Sequence, residues 1–519
     1  MRISVSNTVQ SLRVKKSLSP GMRKYAIMLV SGLVMGIIPA PVNAWWLAWV
    51  ALVPLWIFVK QTQGKVGSAA RLGLVWGIGY QGAALSWLMG LHPMTWMGMS
   101  WGASLAIAIG CWLFVTFYGA VIAALWSGCM AWVTLKLPAY SRILVGMTLW
   151  CFLEWAWTQS PLWWTPIAYT QSPGNLVILH LGHLSGPTTI AAVLVMVNGC
   201  IAEGWTSLRY RWRYGGGAIA LFLGFHLLGL SLYLMPLNPE TTTALKIGIV
   251  QGNIPTRVKF FQQGLDQGRK NYESGYRQLA DQGVDAVLTP EGAFPYLWKT
   301  PPLAADIQEK QVLAWVGGFM PDAGRITQSL VTILPDGTLS SRYNKIKLVP
   351  LGEYIPFESI LGKVIDRLSP VSAQMNLGKP DQKFTTPWGP AIVGICFDSA
   401  FPQLFQRQAA HGGEFILTAS NNDPYNTRMM AQHHAHDVMR AIETDRWAVR
   451  ATNTGYSGVV DPHGRTVWRS QPQTFVIHAA QIYRRQTQTL YVKWGNWLLP
   501  SLVFLSLTAA VPSFIPTRK

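Results

Sequence analysis
The chain has 519 residues, half of them hydrophobic, only 13% charged, and 25 of them tryptophan. That composition excludes an ordinary soluble protein, and the length excludes a single domain. The net charge of +19 sits partly in short loops between apolar runs, so basic loops facing anionic lipid, and not nucleic-acid binding, are the favoured account.

Residues 1–24 carry Arg13, Lys15, Lys16, Arg23 and Lys24 ahead of many apolar runs, and read as a retained basic cytoplasmic tail. Crossing roughly 30 Å of hydrocarbon takes about 20 residues of helix. Runs near 25–38, 44–59, 70–91, 103–134, 142–159, 180–206, 214–236 and 491–513 give about eight spans. The first two are short and lie either side of Pro39-Ala40-Pro41, which also permits a shallow hairpin. Lys60, Lys65 and Arg71 follow the second run, Lys136 and Arg142 the fourth, Arg209, Arg211 and Arg213 the sixth, and Arg518 and Lys519 end the chain. Loops 92–102 and 160–179 hold no Lys or Arg. The positive-inside bias then predicts seven helical spans over 25–236, residues 237–490 on the outer face, and a returning span over 491–513. Acidic residues divide the chain in the same way, since only Glu154, Glu203 and Glu240 precede residue 243.

The polar part, 243–485, alternates short apolar segments with helical ones. Strands are predicted at 245–251, 286–289, 312–319, 329–334, 391–395, 415–419, 448–452 and 475–482, and helices at 263–282, 302–310 and 427–444. Turns at Asp336-Gly337 and His463-Gly464 suit hairpins, so the expected class is an extracytoplasmic α/β layered domain with mixed sheets.

Of five cysteines, Cys111, Cys129, Cys151 and Cys200 fall in apolar stretches and only Cys396 falls in the polar part. It ends the apolar run 391–395, downstream of Thr289-Pro290-Glu291-Gly292 and Tyr343-Asn344-Lys345. A thiol, a carboxylate and an amine are what nucleophilic attack on a carbonyl requires: a nucleophile, a base and a cation for the oxyanion. The same residues also fit a buried strand-end thiol, a helix-capping acid and a solvated loop charge.

The ordered set Gln251-Gly252-Asn253-Ile254-Pro255, Pro290-Glu291-Gly292, Tyr343-Asn344-Lys345, Leu348-Val349-Pro350-Leu351-Gly352-Glu353-Tyr354-Ile355-Pro356, Gly394-Ile395-Cys396-Phe397-Asp398 and Ala451-Thr452-Asn453-Thr454-Gly455-Tyr456-Ser457-Gly458 resembles the nitrilase, or carbon–nitrogen hydrolase, superfamily. Inside a multi-spanning chain it resembles the apolipoprotein N-acyltransferase branch. That resemblance implies an αββα sandwich outside the inner (cytoplasmic) membrane, with Cys396 as nucleophile, Glu291 as general base, Lys345 beside the oxyanion and Glu353 as an accessory acid. The Phe397 amide is a further candidate oxyanion donor. It also implies a phospholipid acyl donor, diacylglyceryl apolipoprotein acceptors, no cofactor or metal, and a monomer.

Four positions bear on substrate binding and depart from the family pattern. Phe397 and Asp398 stand where Tyr-Glu is usual, Phe260 where tryptophan is common, and Ser420-Asn421-Asn422-Asp423-Pro424-Tyr425 replaces Ser-Asn-Asp-Ala-Trp-Phe. Elsewhere, His433 and Asp437 share a helix face at metal-ligand spacing, with a structural helix as the favoured account. The tryptophans of 45–164 are expected mainly at membrane interfaces, and Glu154 is expected to face protein or a lipid entry and not the bilayer. The competing functions are a membrane-tethered amidase, a catalytically silent relative and a transporter.

Overall fold
The computed structural model describes residues 19–237, 243–295, 303–355, 375–423 and 425–510. The basic residues before Ser19, the end of the last apolar run and the C-terminal Arg518 and Lys519 lie outside them.

The amino-terminal part is helical: α1 (Pro20–Ile37), α2 (Val53–Gln61), α3 (Val66–Ala84), α4 (Trp101–Thr134), α5 (Ala139–Trp157), α6 (Pro187–Thr206) and α7 (Arg211–Tyr233). Among the described residues three helices, α4, α6 and α7, are long and apolar enough to cross a membrane. The other predicted spans also contain helix, but of shorter or less apolar kind. Small residues set the packing. A Cβ on Gly32 of α1 would lie 2.0 Å from the Trp76 carbonyl oxygen of α3, and one on Gly77 would lie 2.7 Å from Ala120 Cα of α4. Such close backbone approach is how helices associate where lipid competes for every apolar surface.

Four tryptophans depart from the interfacial expectation. Trp56, Trp76, Trp126 and Trp150 are buried and pack ring against ring, at centroid distances of 5.3 Å for Trp56–Trp126 and 5.9 Å for Trp76–Trp150. They fill the bundle interior. At the end bearing the basic loops, buried Glu203 binds Lys60 at 2.7 Å, Arg142 at 2.6 Å and the Trp56 indole at 3.3 Å, tying α2, α5 and α6 together.

The polar part contains two six-stranded sheets. One has the order β12-β1-β2-β3-β4-β5 and the other β11-β10-β9-β8-β7-β6. The first comprises β1 (Ala244–Gln251), β2 (Ala286–Leu288), β3 (Leu313–Asp322), β4 (Arg325–Ile333), β5 (Leu339–Asn344) and β12 (Val476–Tyr483). The second comprises β6 (Phe384–Thr386), β7 (Gly389–Ile395), β8 (Ile416–Ser420), β9 (Ala448–Thr452), β10 (Gly458–Val460) and β11 (Thr466–Arg469). Each has three parallel central strands, β1-β2-β3 and β7-β8-β9, with antiparallel strands outside them. Side-chain alternation then sorts the core. Ile247, Ile249 and Trp315 share a cluster with Val393, Phe415 and Leu417 between the sheets, while Val250, Val287 and Val316 face Tyr272, Tyr276 and Leu279 of α8 (Gln262–Asp281). The other sheet is covered by α10 (Pro402–Ala410) and α11 (Thr427–Thr444), with α9 (Ala304–Lys310) beside α8. The layers run helix, sheet, sheet, helix. A short helix, α12 (Leu490–Trp494), leads to α13 (Leu498–Ala510), which packs on α5.

Both predicted hairpins form, joining β4 to β5 and β10 to β11. Strands β5, β6, β10 and β11 and helix α10 were not predicted. Strands β5 and β11 have exposed polar residues, and β6 and β10 have three residues each, so none carries an apolar alternation long enough to read.

Candidate active site
The carboxyl ends of β2, β5, β7 and β8 converge, a location where open α/β sheets commonly place ligand sites. Cys396 follows β7 at φ +49°, a left-handed conformation that a residue with a side chain adopts only when its surroundings hold it there. Gly394 permits this turn to pack on α10, since a Cβ there would lie 2.5 Å from the Phe405 ring. The thiol points to the Asn421 carbonyl at 3.7 Å, and the Cys396 carbonyl meets His433 Nε2 at 2.9 Å.

Glu291 follows β2 in a turn that continues through Gly292 at φ +57°. Gly317 of β3 lets this turn sit close, because a Cβ there would lie 2.0 Å from the Pro290 oxygen. Lys345, directly after β5, is fully buried, and its Nζ donates to Glu291 Oε1 at 2.8 Å and to Glu353 Oε1 at 2.6 Å. The remaining carboxylate oxygens are also occupied: Glu291 Oε2 accepts from the Asn421 amide at 3.0 Å and Glu353 Oε2 from the Val349 amide at 2.8 Å. Fixed acceptors and donors of this kind hold each group in one orientation.

The electrostatics follow from burial. Burial and the Glu291 charge push the Cys396 thiol up to about 12, against the pull of Lys345, so the resting group is a thiol that needs a base. Burial alone would lower Lys345, but the Glu291 and Glu353 carboxylates hold it well above the usual lysine value. Burial raises Glu353 above the ordinary carboxylate range. A base beside a neutral thiol and a permanent ammonium beside the same sulfur can generate a nucleophile and stabilise an oxyanion.

Around this centre Phe397 stacks on Trp164 at 6.0 Å, and Tyr425 meets Trp87 edge-on at 5.1 Å. Phe260 joins Phe319, Leu348, Met375 and Tyr354 in a small apolar cluster. Asp398, expected to face a substrate, is fully buried, with Oδ1 accepting from the Lys347 amide at 2.7 Å and Oδ2 from the Ile395 amide at 3.0 Å. Its carboxylate is used to join the cysteine turn to the lysine segment. His433 is held between Asn422 and the Cys396 carbonyl, and Asp437 forms an ion pair with Arg450, so internal partners use both side chains. No role was assigned from sequence to Asn421, whose backbone touches both the thiol and Glu291, or to Lys259, whose Nζ donates to the Glu291 carbonyl at 3.2 Å. The available signal was that Asn421 lies within the quoted segment 420–425 and Lys259 next to Phe260.

The site rests on the helical part. Arg428 of α11 donates to the Ala83 carbonyl and to Ser86, Gln432 to the Ala84 carbonyl, and Trp163 to the Ala400 carbonyl at 3.1 Å. Buried Glu154 accepts from the Ile167 amide at 2.7 Å and lines a cavity of about 280 Å³ between α5, α6, α10 and α12. It therefore faces protein.

Residues 31–200 match the model of the apolipoprotein N-acyltransferase N-terminal domain, and residues 246–490 match that of carbon-nitrogen hydrolases. A Nostoc protein named apolipoprotein N-acyltransferase is 52% identical over 480 residues, covering 91% of this chain and 96% of its own length. The chain belongs to the apolipoprotein N-acyltransferase family. Members with the same name from Thermosynechococcus vestitus and Synechocystis are 47% and 42% identical, covering 90% and 92% of this chain and 91% and 98% of their own lengths. Both halves of the family pattern, helical and nitrilase-like, are present in one chain.

Proposed function
We propose that this protein is a membrane acyltransferase that N-acylates apolipoproteins by a two-step thioester reaction. In the first step Glu291 takes the Cys396 proton, and the sulfur attacks the carbonyl carbon of a phospholipid acyl ester. The oxyanion forms beside Lys345. Collapse breaks the carbon–oxygen bond, the leaving alkoxide takes the proton back from Glu291, and lysophospholipid departs. In the second step the α-amino group of a diacylglyceryl-cysteine attacks the thioester. The carbon–sulfur bond breaks, the amine's surplus proton passes through Glu291 to the sulfur, and an N-acylated lipoprotein leaves. A thiolate leaves toward an amine more readily than an alkoxide would. Glu353 holds Lys345 in place and balances its charge.

The observation that carries this reading is Lys345, fully buried between Glu291 and Glu353 at the strand ends where Cys396 sits, in a member of this family. An acyl donor embedded in a bilayer cannot diffuse to a detached enzyme, which gives the helical part its purpose. In this account residues 1–24 are a cytoplasmic tail, 25–236 about seven spans of the inner membrane, 243–485 the catalytic domain on the periplasmic face, and 491–513 the closing span. Phe260, Phe397 and Tyr425 line the approach for acyl chains, and the protein acts as a monomer.

Mass spectrometry of a lipoprotein N-terminus from cells with and without this protein tests the function. The expected result is loss of one amide-linked acyl chain when the protein is absent. An unchanged three-chain N-terminus contradicts it.

A further inference from the structure
Lys259 is a buried ionisable group at the site that the reaction above leaves unused. It ends the single helical turn Thr256–Lys259 and is 6% exposed. Its Nζ donates to the Glu291 carbonyl at 3.2 Å, and Gly292 leaves room for it, since a Cβ there would lie 3.0 Å from Nζ. The ionisable groups facing it are Glu291, Asp423 and the Cys396 thiol.

Two buried carboxylates, Glu291 and Glu353, share the one ammonium of Lys345. Two like charges beside a single counter-charge in a dry site are not both ionised at low cost; one tends to hold a proton. Burial and the Glu291 charge raise Glu353. We infer that Lys259 is a positioning residue for this reaction: its hydrogen bond to the Glu291 carbonyl fixes the Glu291 turn, and it places a second buried cation beside Glu291. This rests on the roles assigned to Cys396 and Glu291 above.

The neighbouring groups leave that balance intact. Burial keeps Cys396 and Tyr425 protonated and holds His433 well below the usual histidine value, hence neutral. Burial raises Asp398 to about 7, and its two backbone donors satisfy it separately. Asp423 is only half-buried and accepts from the Thr256 amide at 2.7 Å. Burial draws Lys259 itself down to about 8, so it is largely charged at neutral pH.

The sign of the effect is fixed. Removing a cation raises the carboxylate pKa values, so the deficit is present at acid pH and disappears as pH rises through the shifted limb. The test is single-turnover acylation of Cys396 in the full-length protein by a radiolabelled diacylglycerophospholipid in mixed micelles, from about pH 5 to about pH 9. Lys259→Met and Lys259→Gln are expected to move the acid limb upward by about one pH unit, roughly tenfold slower at the acid end, and to rejoin the wild type at the alkaline end. Lys259→Arg is expected to keep the wild-type limb. Glutamine can still donate to the Glu291 carbonyl, so it separates charge from hydrogen bonding. A wild-type profile in Lys259→Gln, or an equal slowing at every pH in both neutral variants, overturns the inference. Undiminished label in Cys396→Ala overturns the underlying site assignment instead.

Discussion
At the scale of single residues, the proposed chemistry depends on three side chains that three different strand ends deliver. Cys396 is a neutral thiol at rest, so its attack requires both proton removal and charge stabilisation. Cys396→Ala is therefore expected to abolish acyl transfer, and Glu291→Gln and Lys345→Met each to slow thioester formation by about 10² or more, with the protein still folded and inserted. Acyl-labelling of the purified variants checks this, and near-normal labelling of Lys345→Met would remove the lysine from the mechanism. The convergence of these residues was legible in the sequence because each stands in a short punctuated motif at the end of an apolar run. Lys259 and Asn421 were not, since their importance lies in contacts made across the fold. Asp398 was expected in substrate binding from its place in the family pattern, and here its carboxylate accepts two backbone amides.

Elements bring these residues together through close contacts that tolerate little change. Gly317 of β3 lies against the turn carrying Glu291. Gly317→Ala is expected to displace that turn and destabilise the fold by about 1–3 kcal/mol, with a loss of Cys396 acylation that exceeds the loss of folded protein. Paired thermal-inactivation and labelling measurements separate the two effects. Arg450 of β9 joins Asp437 of α11, Ser420 at the end of β8 and Ser399 beside the cysteine turn. Its removal strands a buried carboxylate, so Arg450→Met is expected to cost about 3–5 kcal/mol, read as a large drop in thermal-inactivation temperature. The strands with apolar alternation were readable from sequence; the short or exposed edge strands were not, because neighbours and not their own pattern hold them in place.

Over the whole molecule, the account requires the nitrilase-like part to stand on the outer membrane face. The basic loops cluster at one end of the helices, where Glu203 gathers Lys60 and Arg142, and a phosphatase that works only in the periplasm is expected to be active when fused after residue 490. A cytoplasm-dependent reporter is expected to work at Arg211. The opposite pattern would confine the site to the cytoplasm and leave an intracellular amidase as the better function. Two-part architecture was legible in the uneven distribution of acidic residues. The interior tryptophan cluster was not, since composition cannot distinguish a membrane-interface tryptophan from one that fills a bundle.

The central claim is that an acyl thioester on Cys396 is passed to an amine and not to water. Mass spectrometry of the full-length protein, taken after incubation with phospholipid and again after adding a diacylglyceryl-cysteine peptide, tests it most directly. The account predicts one hydroxylamine-sensitive acyl group on Cys396 that persists in buffer and moves onto the peptide's α-amino group. A thioester that hydrolyses at the same rate with or without the peptide, leaving the peptide unmodified, would contradict it.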